Sequence, residues 1–274
     1  MAQIWNDDDG ERWAADADRR DRVLASVGET LLTAAGLRPG ERVLDVGCGC
    51  GATTLQAARQ VAPGGTATGL DVSAPMLRVA RARQESGGPA NARFVHADAE
   101  THTPPGPFDV VISRFGTMFF TDPARAFTAM AGGLVPGGRL VLATWQPPDA
   151  NPWLTVPGTA ILRHAAAPVD LRGRSMFSQS DPAVVERLLT RAGFGHVHLD
   201  GVRVPLHVGA EVADAAEYLA GTGPVRAQLA AVADAGRDAA LGDLRAALAE
   251  HAGPGGVRLD AAIWIVTAFA ASGT

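Results

Sequence analysis

Arg42-Val-Leu-Asp-Val-Gly-Cys-Gly-Cys-Gly51 places an apolar strand directly before three alternating glycines. Val43, Leu44 and Val46 read as a buried parallel strand. Gly47, Gly49 and Gly51 let the backbone turn sharply and approach a ligand with no Cβ in the way. Ala52-Thr-Thr-Leu-Gln-Ala-Ala-Arg59 reads as the helix that follows. A strand, turn and helix of this kind build a cradle for a nucleotide-type cofactor, with Cys48 as a small residue of its loop.

The glycines alone also satisfy the loose dinucleotide fingerprint, through Gly47-Cys-Gly49-Cys-Gly51-Ala52. Asp45 separates the two readings. A carboxylate at the strand's end repels a pyrophosphate, whereas directly or through water it holds the cationic amino group of a methionine moiety. The stretch therefore points to S-adenosylmethionine rather than NAD. Twenty residues on, Gly65-Thr-Ala-Thr-Gly-Leu-Asp71 reads as a second strand ending in an acid that accepts from both ribose hydroxyls and disfavours a 2′-phosphate. The competing use of Asp71 as a helix cap is weakened because Ser73, with Pro75 in the first turn, can cap that helix itself. Val72 and Met76 flank this position as further cofactor contacts. In Arg93-Phe-Val-His-Ala-Asp-Ala-Glu100, Asp98 can accept from an adenine amino group and the Ala99 amide can donate to a ring nitrogen, with Glu100 alongside. The plainer alternative is that Asp98 and Glu100 are solvated loop acids.

Pro107-Phe-Asp-Val-Val-Ile-Ser113 supplies a fourth strand, and Gly133-Leu-Val-Pro-Gly-Gly-Arg-Leu-Val-Leu-Ala-Thr-Trp145 a turn and a fifth. With these in place the chain resembles the class I S-adenosylmethionine-dependent methyltransferases over about Glu41 to Trp145. The resemblance rests on Val43 to Gly51, Asp71, Ala97 to Glu100, Phe108 to Val111 and Leu134 to Gly138, in that order and spacing. Within that superfamily the chain looks most like the ubiquinone/menaquinone C-methylase-like group, which includes natural-product methyltransferases. The resemblance implies a doubly wound Rossmann-like α/β fold with a seven-stranded sheet in the order 3-2-1-4-5-7-6. It also implies S-adenosyl-L-methionine as cofactor, S-adenosyl-L-homocysteine as product, and a small-molecule methyl acceptor.

Alternating strands and helices connected by right-handed crossovers give a parallel sheet whose ligands bind at the carboxyl ends of the strands. Asp45, Asp71, Asp98, Ser113 and Arg114 all fall there. The segment after the fourth strand, Arg114-Phe-Gly-Thr-Met-Phe-Phe-Thr-Asp122, would lie beside the transferring methyl. Phe115, Met118, Phe119 and Phe120 offer an apolar wall for a planar substrate and for the sulfonium, with Trp153 as a further substrate contact.

Beyond Trp145 the pattern becomes irregular. Gln146 to Trp153 reads as a loop, followed by a helix to about His164 and a loop from Pro168 to Ser180. Asp181-Pro-Ala-Val-Val-Glu-Arg-Leu-Leu-Thr-Arg-Ala-Gly193 has the cap, first-turn proline, amphipathic run and terminal glycine of a helix. His196 to Val208 alternates as a strand, Ala210 to His251 is helical with a break at Gly221-Thr-Gly-Pro224, and Gly256 to Ala270 reads as the last strand. The division that follows is an N-terminal helical lid over 1–36 and a cofactor-binding core over 37–146, with substrate-cap insertions at 147–180 and 209–256 and the rest of the core sheet at 181–208 and 257–274. In the lid, Trp13 can cover the methionine end of the cofactor and Arg12 can pair with its carboxylate. His164 and His207 are the preferred candidates for a general base, although no partner spacing supports a catalytic dyad.

The 274 residues are 47% apolar, with a mean hydropathy of +0.07, enough for a substantial core in one domain with a cap. No apolar run approaches the length of a membrane helix, and the first nine residues lack a secretory pattern, so a cytoplasmic protein is expected. A net charge of −5 without a Lys/Arg block provides no nucleic-acid footprint; Arg78, Arg81 and Arg83 read as a solvated helix face. Cys48 and Cys50, the only cysteines, cannot make a four-ligand zinc site, and no metal is expected. Methyl transfer to O, C or N of a small molecule is the leading function. The alternatives are a non-methylating cyclase or isomerase that uses the sulfonium as a fixed charge, and a non-enzymatic cofactor-sensing module. The oligomeric state is left open.

Overall fold

The computed structural model describes residues 5–6, 8–102, 106–166, 169 and 175–271. Parts of the predicted lid 1–36, of the loop 168–180 and of the segment 257–274 after its strand lie outside them. Three short helices, α1 (Asp8–Ala15), α2 (Ala17–Val23) and α3 (Ala25–Ala35), precede the core. The alternation that follows is β1 (Arg42–Val46), α4 (Ala52–Gln60), β2 (Thr66–Asp71), α5 (Ala74–Glu85), β3 (Ala92–His96), β4 (Phe108–Arg114), α6 (Pro123–Gly133) and β5 (Leu134–Trp145). Then come α7 (Pro152–Leu162), α8 (Pro182–Arg191), β6 (Phe194–Gly209), α9 (Val212–Gly221), α10 (Gly223–Ala230), α11 (Arg237–Ala249), β7 (Ala252–Gly253) and β8 (Gly256–Ala270).

The sheet order is β3-β2-β1-β4-β5-β8-β6, with β8 antiparallel to both β5 and β6. This matches the expected order, with the last long strand inserted between the fifth and sixth. The eighth strand, not foreseen from the pattern, is the two-residue β7, which folds back on the start of β8 around Gly253–Gly256.

The central strands are continuously apolar because both their faces are covered. Val43, Val110, Ile112 and Val141 pack with Val27 and Leu31 of α3 on one side. Leu44, Val46, Val111 and Leu140 pack with Phe127 of α6 and Leu189 of α8 on the other. Successive residues of β1 thus enter opposite layers, as the period of two requires. Local chemistry sets the helix starts: Ser73 Oγ accepts from the Met76 amide, Asp122 from that of Arg125 and Asp181 from that of Ala183.

The chain between β6 and β8 forms three helices, with the expected break at Thr222 and a second between Ala230 and Arg237. Together with α7 they form a helical layer whose buried side chains, among them Leu154, Ile161, Leu219, Leu229 and Leu244, join the same core as α3. Among the described residues, no helix is long and apolar enough to cross a membrane.

Candidate active site

Where β1 and β4 end, two loops cross backbone to backbone. A Cβ on Gly47 would stand 2.7 Å from Gly116 Cα, and Gly47 has φ +69°. Ser113 splints the crossing: its hydroxyl donates to the Val46 carbonyl at 2.7 Å and accepts from the Gly116 amide at 3.2 Å. Gly51 serves a different purpose, since a Cβ there would run into Phe94 and Ala80 at 2.8–2.9 Å. It lets α4 sit close against β3 and α5. Ser113 and Gly51 therefore shape the loop without lining the cavity it borders.

That cavity has a volume of about 500 Å³ and runs from the glycine loop to the helical layer. On the cofactor side its wall includes Gly47, Gly49, Asp71, Val72 and Met76, and beyond them Asp98, Ala99 and Glu100. Asp71 accepts from the Gly49 amide at 2.7 Å and from the Ser73 amide at 2.8 Å, one bond to each oxygen. Each carboxylate oxygen keeps a further lone pair for a ligand hydroxyl. Burial raises the Asp71 pKa above the usual carboxylate value, and these two N–H groups pull it back. Asp98 accepts from the Glu100 amide through Oδ1 at 2.9 Å. The Glu100 carboxylate is turned to the Thr121 and Asp122 amides, at 2.9 and 2.6 Å, and ties the loop before α6.

Asp45 does not line the cavity. It is fully buried, and its Oδ2 accepts from the Thr53 and Thr54 hydroxyls at 2.6 and 2.7 Å. Its Oδ1 is buried without a partner. Burial pushes its pKa up, and the two hydroxyls lower it. The side chain turns under the glycine loop toward α4, so the expected contact with a methionine amino group is not a direct one. Cys48 likewise points inward: a Cβ on Gly69 would stand 2.8 Å from its Sγ. Burial pushes the Cys48 thiol up and the Cys50 thiol up to about 12, which keeps both neutral.

The N-terminal helices close one side. Arg12 and Trp13 line the cavity, joined by Trp5, which meets Trp13 and Phe119 edge-on at 5.9 and 5.0 Å. Asp21 of α2 receives both Arg83 of α5, at 2.7 Å, and Arg114, at 3.0 Å. Arg114 borders the cavity, but its guanidinium is engaged by Asp21 and the Leu24 carbonyl.

Next to Gly116 the wall is aromatic. Phe115 lies on Trp145 with centroids 3.9 Å apart and planes 14° apart, and Trp145 meets Trp153 at 5.0 Å. Phe115 holds φ +65°, a left-handed conformation unusual for a side chain of this size. Met118, Phe119 and Phe120 also reach the cavity. The sequence did not single out Trp145, Tyr218, Arg20 or Leu206 as wall residues. Only the position of Trp145 at a strand's carboxyl end carried a signal.

The two candidate bases are placed elsewhere. His164 Nε2 is 2.9 Å from Asp243 Oδ2 of α11, and the half-exposed pair joins α7 to α11. His207 is exposed on β6, with Nε2 2.6 Å from the Gly255 carbonyl. Neither lines the cavity. Among the described wall residues, the carboxylates are Asp71, Asp98 and Glu100, all on the cofactor side.

The residues present fit S-adenosylmethionine. Gly47 and Gly49 line the cavity beside Asp71, Asp71 and Asp98 offer acceptors to ribose and adenine, and aromatic residues line the same cavity.

The family model described as "Methyltransferase domain" matches residues 43–138. Nocamycin O-methyltransferase of Saccharothrix syringae is 36% identical over 133 residues, 48% of each chain, so the match spans about half of that enzyme. The ubiquinone/menaquinone biosynthesis C-methyltransferase of Pseudomonas paraeruginosa is 32% identical over 190 residues, 64% of this chain and 74% of that protein. The YcgJ protein of Bacillus subtilis superposes with a TM-score of 0.59 at 19% identity, covering 91% of this chain and 99% of that one. With the family model running from β1 into β5 and the Pseudomonas paraeruginosa relative covered over 74% of its length, the chain belongs to the class I S-adenosylmethionine-dependent methyltransferase family.

Proposed function

We propose that the protein transfers the methyl group of S-adenosylmethionine to a small, largely apolar acceptor, an intermediate of natural-product biosynthesis. The observation that carries this reading is the continuity of one cavity from the Gly47–Asp71 cradle to the Phe115–Trp145–Trp153 wall. Bound in the cradle, the cofactor supplies a methyl group already activated on a cationic sulfur. The chain contributes alignment and exclusion of water. Asp71 and Asp98 fix the nucleoside. The Phe115–Trp145 stack presents apolar faces against which a flat acceptor can lie, and Trp5 and Trp13 cover the opening from the N-terminal side.

No imidazole lies among the described wall residues, and the wall carboxylates are on the cofactor side. The chemistry suited to this site therefore uses an acceptor that is nucleophilic on arrival, as an anion or a neutral amine. The relatives are named for O- and C-methyl transfer, and the acceptor atom here stays open among O, C and N.

The test is incubation with S-adenosylmethionine and a panel of flat phenols, enols, carboxylic acids and amines, with S-adenosylhomocysteine and methylated product quantified by mass spectrometry. Stoichiometric appearance of both supports the proposal. Conversion of an acceptor with no S-adenosylhomocysteine formed would replace it with a sulfonium-assisted cyclisation or isomerisation.

A further inference from the structure

Two polar side chains reach the cavity with donors that nothing else in the described structure uses. Arg20 of α2 has a side chain only 14% exposed, lies over the Trp13 ring at 4.1 Å, and has a buried Nε without a hydrogen-bond partner. Its ion pair with Asp16 is 3.9 Å long, beyond hydrogen-bonding reach, and Asp16 is itself 40% exposed. Tyr218 of α9 is the chain's single tyrosine. The Arg19 guanidinium lies over its ring at 4.8 Å and is anchored to the Asp214 carbonyl and carboxylate by 2.7 Å bonds, so the ring is held in place. The Tyr218 hydroxyl makes no hydrogen bond to a described residue. Burial raises its pKa, the Arg20 charge lowers it, the Asp16 carboxylate raises it and Arg19 lowers it, with the net shift upward, so at neutral pH it is a phenol that can donate.

Both residues line the cavity, among Trp153, Leu206, Val208 and Leu219. A guanidinium offers donors and no acceptor. Donors left without acceptors in an apolar wall are unfavourable unless a ligand supplies the acceptor. A guanidinium and a phenol hydroxyl bordering one cavity suit an ionised oxygen, and a charge-assisted bond is the stronger kind available there.

We infer that Arg20 and Tyr218 form an anion subsite that takes the carboxylate, or an equally acidic oxygen, of the acceptor, whose flat apolar body lies along the aromatic wall. The inference rests on the methyl-transfer reading and narrows its acceptor to molecules that carry an acidic group. The same chemistry exists on the methionine end of the cofactor, so the experiment separates the two sources.

Protein saturated with S-adenosylhomocysteine is titrated calorimetrically with naphthalene-2-carboxylate and with its neutral isostere naphthalene-2-carboxamide. The expected result is tighter binding of the carboxylate by roughly tenfold or more, as for hydrogen bonds to a charged group. Arg20→Met and Tyr218→Phe should each bring that ratio toward unity while leaving the affinity for S-adenosylhomocysteine unchanged. Tyr218→Phe removes a single oxygen and keeps the packing, which guards against misfolding of the arginine variant. Equal binding of the two probes to the wild type, absence of binding by either, or variants that retain the preference would overturn the subsite. Weakened S-adenosylhomocysteine binding in Arg20→Met would assign the arginine to the cofactor's own carboxylate and overturn it as well. Failure of S-adenosylhomocysteine to bind the wild type is a distinct outcome, which removes the methyl-transfer reading and the subsite with it.

Discussion

The carboxylate of Asp71 accepts a 2.7 Å hydrogen bond from the amide of Gly49, joining the acid at the end of β2 to the middle of the glycine loop. The group proposed to hold a ribose also fixes the loop that borders the cavity. Asp71→Ala is expected to weaken S-adenosylhomocysteine binding by about 1–3 kcal/mol, the range for lost hydrogen bonds to a charged group or for donors left unsatisfied. Calorimetric titration reads this. Asp71→Asn, which retains one acceptor oxygen, should lose less.

Gly47 is required by both space and conformation, at 2.7 Å from Gly116 Cα and φ +69°. Gly47→Ala should destabilise the fold by about 2–3 kcal/mol and abolish cofactor binding, because one of two crossing backbones must move. Gly137 provides the control: its φ is +74°, but a Cβ there meets nothing within 4 Å. Gly137→Ala should cost only the left-handed penalty of about 1 kcal/mol. Chemical denaturation of the two variants gives the comparison.

Asp109 of β4 accepts from the Arg42 side chain at 2.9 Å and from its backbone amide at 2.8 Å. The Arg42 guanidinium holds its pKa below the ordinary 3.8. A carboxyl with a depressed folded-state pKa contributes stability that is present above its unfolded value and is lost as pH falls through the folded one. Asp109→Asn should therefore lower stability by about 1 kcal/mol at pH 7, discounted for the partial exposure of the pair. The difference should shrink below pH 3.8, where the wild-type carboxylate begins to take up its own proton. Urea denaturation at pH 7 and pH 3 tests the sign.

Asp21 joins α2 to the core through Arg83 and Arg114. Asp21→Asn is expected to loosen the N-terminal helices, seen as faster proteolysis there and a several-fold faster release of S-adenosylhomocysteine. Global stability should change by no more than about 1–2 kcal/mol, as for a partly buried pair that keeps some hydrogen bonding.

The cofactor half was legible because its parts are local. An apolar strand, a glycine turn and a capped helix are each written within about ten residues, and the right-handed crossover rule places their ends on one side. The insertion of β8 between β5 and β6 came from family resemblance, and β7 escaped because two residues bear no periodicity. Asp45 shows the limit of a motif: its position at the strand's end was readable, but the turn of its side chain toward Thr53 and Thr54 was not. The acceptor half is a product of tertiary packing. Arg20, Trp145 and Tyr218 come from α2, β5 and α9, almost two hundred residues apart at the extremes, with no spacing to link them. The histidines were chosen by residue type and by their places in the first helix after the core and at a strand end near the cap, and packing placed one against Asp243 and the other at the surface.

The most direct test of the central claim is parallel calorimetric titration of the purified protein with S-adenosylhomocysteine and with NAD. The account expects one S-adenosylhomocysteine per chain, lost or strongly weakened in Asp71→Ala, and no binding of NAD. Binding of NAD, or S-adenosylhomocysteine binding indifferent to Asp71, would contradict the assignment of the glycine-loop cavity and the function built on it.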